Sequence, residues 1–324
     1  MRIVSKEEVA GALDDGALVE ALRTMFASGC EMPLRHHHTI SRSGAAKATD
    51  GTLLLMPAWE TGGPVGVKVV TVFPENGARG LPAVMGNYML LDGDSGAPRA
   101  LIDGQALTAH RTAAASALAA DYLARADARS LLMVGTGALA PHLVRAHAAV
   151  RPITTVKIWG RTPEKASALA ATLGASLSRN GIVVQATDDL QDAAREADMI
   201  SCATLAKEPL IAGAWLRPGQ HLDLVGGFTP AMREADDEAV RRARVYVDTR
   251  AGALSEAGDI VQPLSSGALS EDAIVGDLFE LTRGEAMGRG SDDEITFFKS
   301  VGTALEDLAA AKLTVERLQA GGGK

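Results

Sequence analysis

Two rhythms of apolar and polar positions divide the chain, and the change between them falls near residue 104. After a short strand-like start, Ser5 stands as a helix N-cap with Glu8 three residues later, and apolar residues recur at helical spacing from about residue 6 to 26. The pattern breaks at "GCEMPLRHHHTI", with Pro33 and a basic cluster. Short apolar or alternating runs follow, "TLLLMPAW", "VGVKVVTVF", "AVMGNYMLLD" and "PRALID", separated by Gly, Pro, Asn and Asp. They predict a meandering sheet. An Ala-rich helix of about six turns begins within "DGQALTAHRT". Beyond it, strands are expected at 130–134, 154–160, 182–185 and 197–202, alternating with helices at 138–150, 162–172 and 187–196. Two more strands are expected at 220–225 and 244–248. Such alternation means a parallel sheet with helical crossovers. The last segment, "VGTALEDLAAAKLTVERLQA", has an apolar stripe and no strand beside it, so it is expected to return to the first domain, with "AGGGK" fraying. The expected fold is α/β: a Rossmann-type doubly wound parallel sheet domain over 113–301, and an α+β domain over 1–112 and 302–324 completed by the C-terminal helix.

Composition narrows the function. A chain of 324 residues suits two cores better than one. Apolar residues at 47% and charged residues at 22% are the balance of a soluble globular protein. The net charge of −8, with no run of Lys or Arg, excludes a nucleic-acid binder and leaves small molecules as partners. No window of about 18 apolar residues predicts a membrane span, and the N-terminus is not a signal peptide. Cys30 and Cys202 read as ordinary buried thiols, in keeping with a reducing cytoplasm.

Chemistry enters at "LLMVGTGALA", where Gly135, Gly137 and Ala140 have G-x-G-x-x-A spacing between an expected strand and helix, with Ala138 and Leu139 inside the turn. The first glycine permits the tight turn, the second lets a pyrophosphate approach the backbone, and the small third residue lets helix and strand pack closely. The second strand ends in "IWGRTPEKA", where an NAD-binding protein usually has an acid for the ribose 2′-hydroxyl. Here Arg161 stands in that region, with Thr162 beside it and Lys165 one turn into the helix, which favours the 2′-phosphate of NADPH over NADH.

In the first domain, Arg35, Lys68 and Arg111 are cations in apolar settings. Lys68 is flanked by valines in a buried-looking strand, costly unless it snorkels or meets an anion. Converging, the three would bind a carboxylate. His36, His37 and His38 are read as loop and packing residues, because neighbouring side chains of an extended segment point to opposite sides, and no metal is expected.

Six segments in order, "GVKVVTVFPEN", "ALTAHRTAAASALAADYLA", "VGTGALA", "VGGFTPAMREADDE", "EAGDI" and "DDEITFFKSVGTALEDLAAA", resemble the ornithine cyclodeaminase/μ-crystallin family nearly end to end. The resemblance implies a homodimer whose β-rich domain carries the substrate and dimer contacts. It implies that Arg35, Lys68 and Arg111 hold the substrate carboxylate, Lys68 and Arg111 being catalytic, with Met56 and Phe228 also at the substrate. It places Thr204, Val225, Gly226, Gly227, Val301 and Gly302 at the dinucleotide, the "KSVG" segment lying near the nicotinamide. The family's cyclodeaminases have aspartate at the position of Phe228 and lysine at that of Met232. A phenylalanine takes no proton and pairs with no ammonium. "GGFTPAMREAD" resembles instead the family members that reduce cyclic ketimines, and the resemblance implies NADPH-dependent reduction of Δ1-pyrroline-2-carboxylate to L-proline and also of Δ1-piperideine-2-carboxylate to L-pipecolate. An ornithine cyclodeaminase, or a non-catalytic NADPH-dependent binder like the lens member, are the alternatives.

Overall fold

The computed structural model describes residues 1–41 and 50–321. By its internal contacts the chain forms two compact units, Met1–Arg111 with Thr303–Lys324, and Thr112–Gly302.

The first unit holds one six-stranded sheet of β1 (Arg2–Val4), β2 (His36–Ile40), β3 (Gly51–Trp59), β4 (Val65–Val72), β5 (Val84–Leu91) and β6 (Pro98–Asp103). β2 to β6 are successive antiparallel neighbours, with β3 to β6 the meander that their alternating runs predict. β1 adds itself parallel to β6, a pairing distant in sequence that leaves no local signal. The histidines do not form a loop: His36–Ile40 is the exposed edge strand, held by pairing with β3. The helical pattern of residues 6–26 resolves into two helices, Lys6–Ala12 and Asp15–Ser28. Asp14 caps the second, accepting from the Ala17 amide at 3.0 Å, so the chain turns where periodicity alone shows no break. Ser5 and Glu8 form the expected capping box. The C-terminal helix Ala304–Gly321 lies against Asp15–Ser28 and across β3, β4 and β5. It meets the sheet face bearing Met56, Lys68, Val70, Tyr88 and Leu90, all buried. Leu53, Leu55, Val67, Val69 and Met89 alternate with these and point the other way, where they stay partly or fully exposed.

The second unit is an eight-stranded, wholly parallel sheet. Its strands are β7 (Ser130–Val134), β8 (Thr155–Trp159), β9 (Val183–Ala186), β10 (Met199–Cys202), β11 (His221–Leu224), β12 (Arg244–Val247), β13 (Ile274–Asp277) and β14 (Thr296–Lys299). Their spatial order is β13-β12-β14-β11-β10-β7-β8-β9. β13 and β14 are missing from the sequence reading. β13 (IVGD) ends in Gly and Asp and β14 (TFFK) holds a lysine, so neither reads as an apolar run, and β14 enters between β11 and β12.

Candidate active site

In the second unit, β7, β8 and β9 run to one side of the sheet and β10 and β11 to the other, so the winding reverses between β7 and β10. The crevice outside the carboxyl ends at such a reversal is where open α/β sheets bind ligands. A cavity of about 360 Å³ lies there, lined by Gly135, Thr136 and Gly137 after β7, by Arg161, Thr162 and Lys165 after β8, and by Ala203 to Ala206 after β10. Gly135 has φ of 119°, and a Cβ on it would press on the Ala203 carbonyl. Gly137 faces open space, with nothing within 4 Å of a built Cβ. Ala138 is exposed, Leu139 half-buried and Ala140 buried at the start of helix Ala140–Val150, which no side chain caps. The dipole of that helix end, with the open glycine turn before it, suits a pyrophosphate, so the residues present fit a dinucleotide. Arg161, Thr162 and Lys165 are exposed at the cavity, and none of its described lining residues is acidic.

Beneath the loops after β10, β11 and β14 lies a buried charged cluster whose parts stand in motif segments but whose assembly the sequence does not announce. Lys299, fully buried on β14, donates to the Leu224 carbonyl at 3.0 Å and to that of Gly226, and pairs with Asp259 at 3.5 Å. Asp259 accepts the amides of Glu234 and Ala235 at 2.8 and 3.1 Å. Glu234 accepts the amide and the hydroxyl of Thr204, both at 2.7 Å. Burial pushes the Glu234 carboxyl up to about 7, with Lys299 pulling the other way. Val225 is buried at the end of β11, and the turn after it has no room for side chains: a Cβ on Gly226 would overlap Glu234, and one on Gly227, at φ of 56°, would overlap Asp259. Asp248 accepts the amides of Val301 and Gly302 at 2.7 and 2.6 Å and so fixes the "KSVG" turn. Phe228 ends the Gly-Gly turn 45% exposed.

In the first unit the expected cations are brought together, but they do not wait bare for an anion. Lys68 pairs with Asp307 at 2.7 Å, and Arg111 donates to Asp307 at 3.0 Å and to Glu306 at 2.6 Å. Burying two cations without counter-ions would cost several kcal/mol each, and adjacent acids of the C-terminal helix supply them. Met56 faces the same way as Lys68, its partner across β3 and β4. Arg35, partly buried, is close enough to act on the Lys68 charge. Burial pulls the Lys68 ammonium down to about 8, Asp307 opposing and Arg111 and Arg35 assisting. Burial also works against the Arg111 charge, but Asp307 and Glu306 outweigh it and hold the guanidinium above its usual range. Sequence reasoning misses Glu306 and Asp307, although a Glu-Asp pair inside the otherwise apolar stripe of "ALEDLAAAK" is a visible anomaly. Among the described residues no group of three His, Cys, Asp or Glu is placed to hold a metal ion, and no helix is long and apolar enough to cross a membrane.

Residues 4–322 match the model of the ornithine cyclodeaminase/mu-crystallin family. The Δ1-pyrroline-2-carboxylate reductase of Paracoccus denitrificans is 42% identical over 295 residues, 89% of this chain and 91% of that protein. The structure of Thermococcus litoralis Δ1-pyrroline-2-carboxylate reductase in complex with NADH and L-proline is similar with a TM-score of 0.91 at 34% identity, covering 99% of this chain and 98% of that one. An archaeal alanine dehydrogenase dimer with bound NAD follows with a TM-score of 0.87 at 28% identity, covering 99% of this chain and 97% of that one. With a family match over residues 4–322 and relatives similar over nearly the whole chain, the chain belongs to the ornithine cyclodeaminase/mu-crystallin family.

Proposed function

We propose that this protein is a nicotinamide-dependent oxidoreductase acting on a C=N bond, that NADPH is its preferred reductant, and that it converts Δ1-pyrroline-2-carboxylate to L-proline and Δ1-piperideine-2-carboxylate to L-pipecolate. One observation carries the reading: Lys68 and Arg111, buried beside Asp307 and Glu306, are brought together with Arg35 near enough to act on the Lys68 charge, a set of cations that suits a substrate carboxylate. The named activities of the Paracoccus and Thermococcus relatives agree with it. Phe228 and Met232 agree too, since neither offers the acid–base or ionic partner that a second amino group needs.

Within this reading Arg111 and Arg35 orient the carboxylate by charge-assisted hydrogen bonds. Met56 offers an apolar surface on the Lys68 side of the sheet. Lys68, charged at neutral pH but not far from its pKa of about 8, donates a proton to the ring nitrogen. The residues of the second unit bind the dinucleotide: the Gly135–Ala140 turn takes the pyrophosphate, and Arg161, Thr162 and Lys165 take the ribose end with its 2′-phosphate. A reduced nicotinamide supplies the hydride. The exposed apolar sheet face with Val69 and Met89 supports a homodimer, the state named for the archaeal alanine dehydrogenase. Cys30, whose thiol burial pushes up to about 11, and buried Cys202 are unreactive thiols that fit the cytoplasm.

The test is NADPH and NADH oxidation with the two cyclic imines, beside ammonia release from L-ornithine with NAD or NADP. Imine-dependent oxidation, a preference for NADPH and no ammonia are expected. Arg161→Ala should lower the NADPH preference about tenfold to a hundredfold, the worth of a charge-assisted contact. Ornithine turnover near about 1 s⁻¹, an ordinary enzymatic rate, would overturn the assignment, and equal use of both cofactors by the wild type would remove NADPH from it.

A further inference from the structure

Glu234 is fully buried, yet only one of its carboxylate oxygens is used. Oε1 accepts both donors of Thr204, while Oε2 has no hydrogen-bond partner. Thr204 lines the dinucleotide cavity at the carboxyl end of β10, beside Gly135. With its hydroxyl proton directed to Glu234, Thr204 also accepts the Ala206 amide at 3.3 Å, which leaves one lone pair on Oγ1. A donor that reaches this oxygen from the cavity would therefore meet an acceptor, which is complementary to a ribose hydroxyl or a carboxamide N–H. The same carboxylate limits Gly226 to glycine, since a Cβ there would overlap both Glu234 Oε1 and the Thr204 carbonyl. Glu234 is itself held from behind: Asp259 fixes its backbone amide, and Lys299 ties Asp259 to the Gly226 carbonyl.

We propose that Glu234 is a positioning residue of the dinucleotide site, holding Thr204 as a hydrogen-bond acceptor against the Gly226–Gly227 turn for the sugar or amide end of the cofactor. A carboxylate oxygen suits this task because it takes two donors without adding one of its own. The inference rests on the second unit being the dinucleotide site, and its test separates the two.

The experiment measures direct binding of NADPH and NADH, by quenching of protein fluorescence, together with the KM of each substrate and kcat, for wild type, Glu234→Ala, Glu234→Gln and Thr204→Val. Glu234→Ala frees the Thr204 hydroxyl to rotate. It should raise the dinucleotide Kd and KM about tenfold, the loss expected for a displaced hydrogen bond, with the imine KM unchanged. Glu234→Gln keeps an acceptor oxygen for Thr204 and should restore binding to within about threefold of wild type, since only the charge is lost. A merely structural role would lower stability and active fraction without moving the dinucleotide KM apart from the imine KM. If Glu234→Ala does not fold, Thr204→Val, which deletes the acceptor itself, should show the same selective loss beside a near-normal Glu234→Gln. Wild-type dinucleotide affinity in Glu234→Ala or Thr204→Val, or a loss in Glu234→Gln as large as in alanine, would overturn the proposal. Failure of the wild type to bind either dinucleotide would instead overturn the reading of the site.

Discussion

Lys68 shows how one residue acquires a working pKa. The side chain sits in a sheet between valines, 3% exposed, and burial alone would strip its charge. Asp307 at 2.7 Å opposes the burial, Arg111 and Arg35 assist it, and the ammonium is left at about 8. The sign follows directly. Lys68 is charged below that value and loses its proton as pH rises through it, so both the hold on a carboxylate and the donatable proton fade on the alkaline side. We expect kcat/KM for the cyclic imine to fall with a limb near pH 8, and Lys68→Arg, charged throughout, to lose that limb along with part of its activity. A profile flat from pH 7 to about 9.5 would remove Lys68 from the chemistry. The unusual position of this lysine was legible in its valine neighbours. Its partner was not, because Asp307 lies far along the chain and only the return of the last helix brings it near.

Among elements, the C-terminal helix Ala304–Gly321 does the most for the first unit. It covers β3, β4 and β5, and delivers Glu306 and Asp307 side by side to the two buried cations. Asp307→Ala leaves Lys68 and Arg111 to share Glu306, and uncompensated buried charge costs about 3–5 kcal/mol. A correspondingly lower unfolding midpoint in urea is expected, partly recovered by added L-proline, whose carboxylate fits the same cations. A loss under about 1 kcal/mol would mean that Asp307 is not their principal counter-ion. The apolar stripe of this helix and its return to the first unit could be read from the sequence, but not the acids' partners. The Gly135 turn is the opposite case. Its function depends on backbone conformation and local spacing, so the motif, its strand and its helix were legible together.

For the whole molecule, the exposed face of the first sheet sets the expected assembly. Leu53, Leu55, Val67, Val69 and Met89 share an apolar face that stays partly exposed, and a second copy of the same face would cover it. Light scattering should give twice the 33.6 kDa chain mass. Val69→Asp combined with Met89→Lys should yield monomers that still bind NADPH, since the dinucleotide site lies in the other unit. A monomeric wild type would refute the homodimer. By itself the sequence determined the two rhythms, the α/β fold, the glycine turn after β7 and the absence of an acid after β8, because all of these are written in periodicity or in residues close together along the chain. Only the tertiary structure decided that β14 enters the sheet between β11 and β12, that Lys68 and Arg111 meet Asp307 and Glu306 of the last helix, and that Glu234, Asp259 and Lys299 meet beneath the Gly-Gly turn. Those arrangements depend on backbone pairing and on buried charges seeking partners across long stretches of chain, where no local pattern marks which residues will meet.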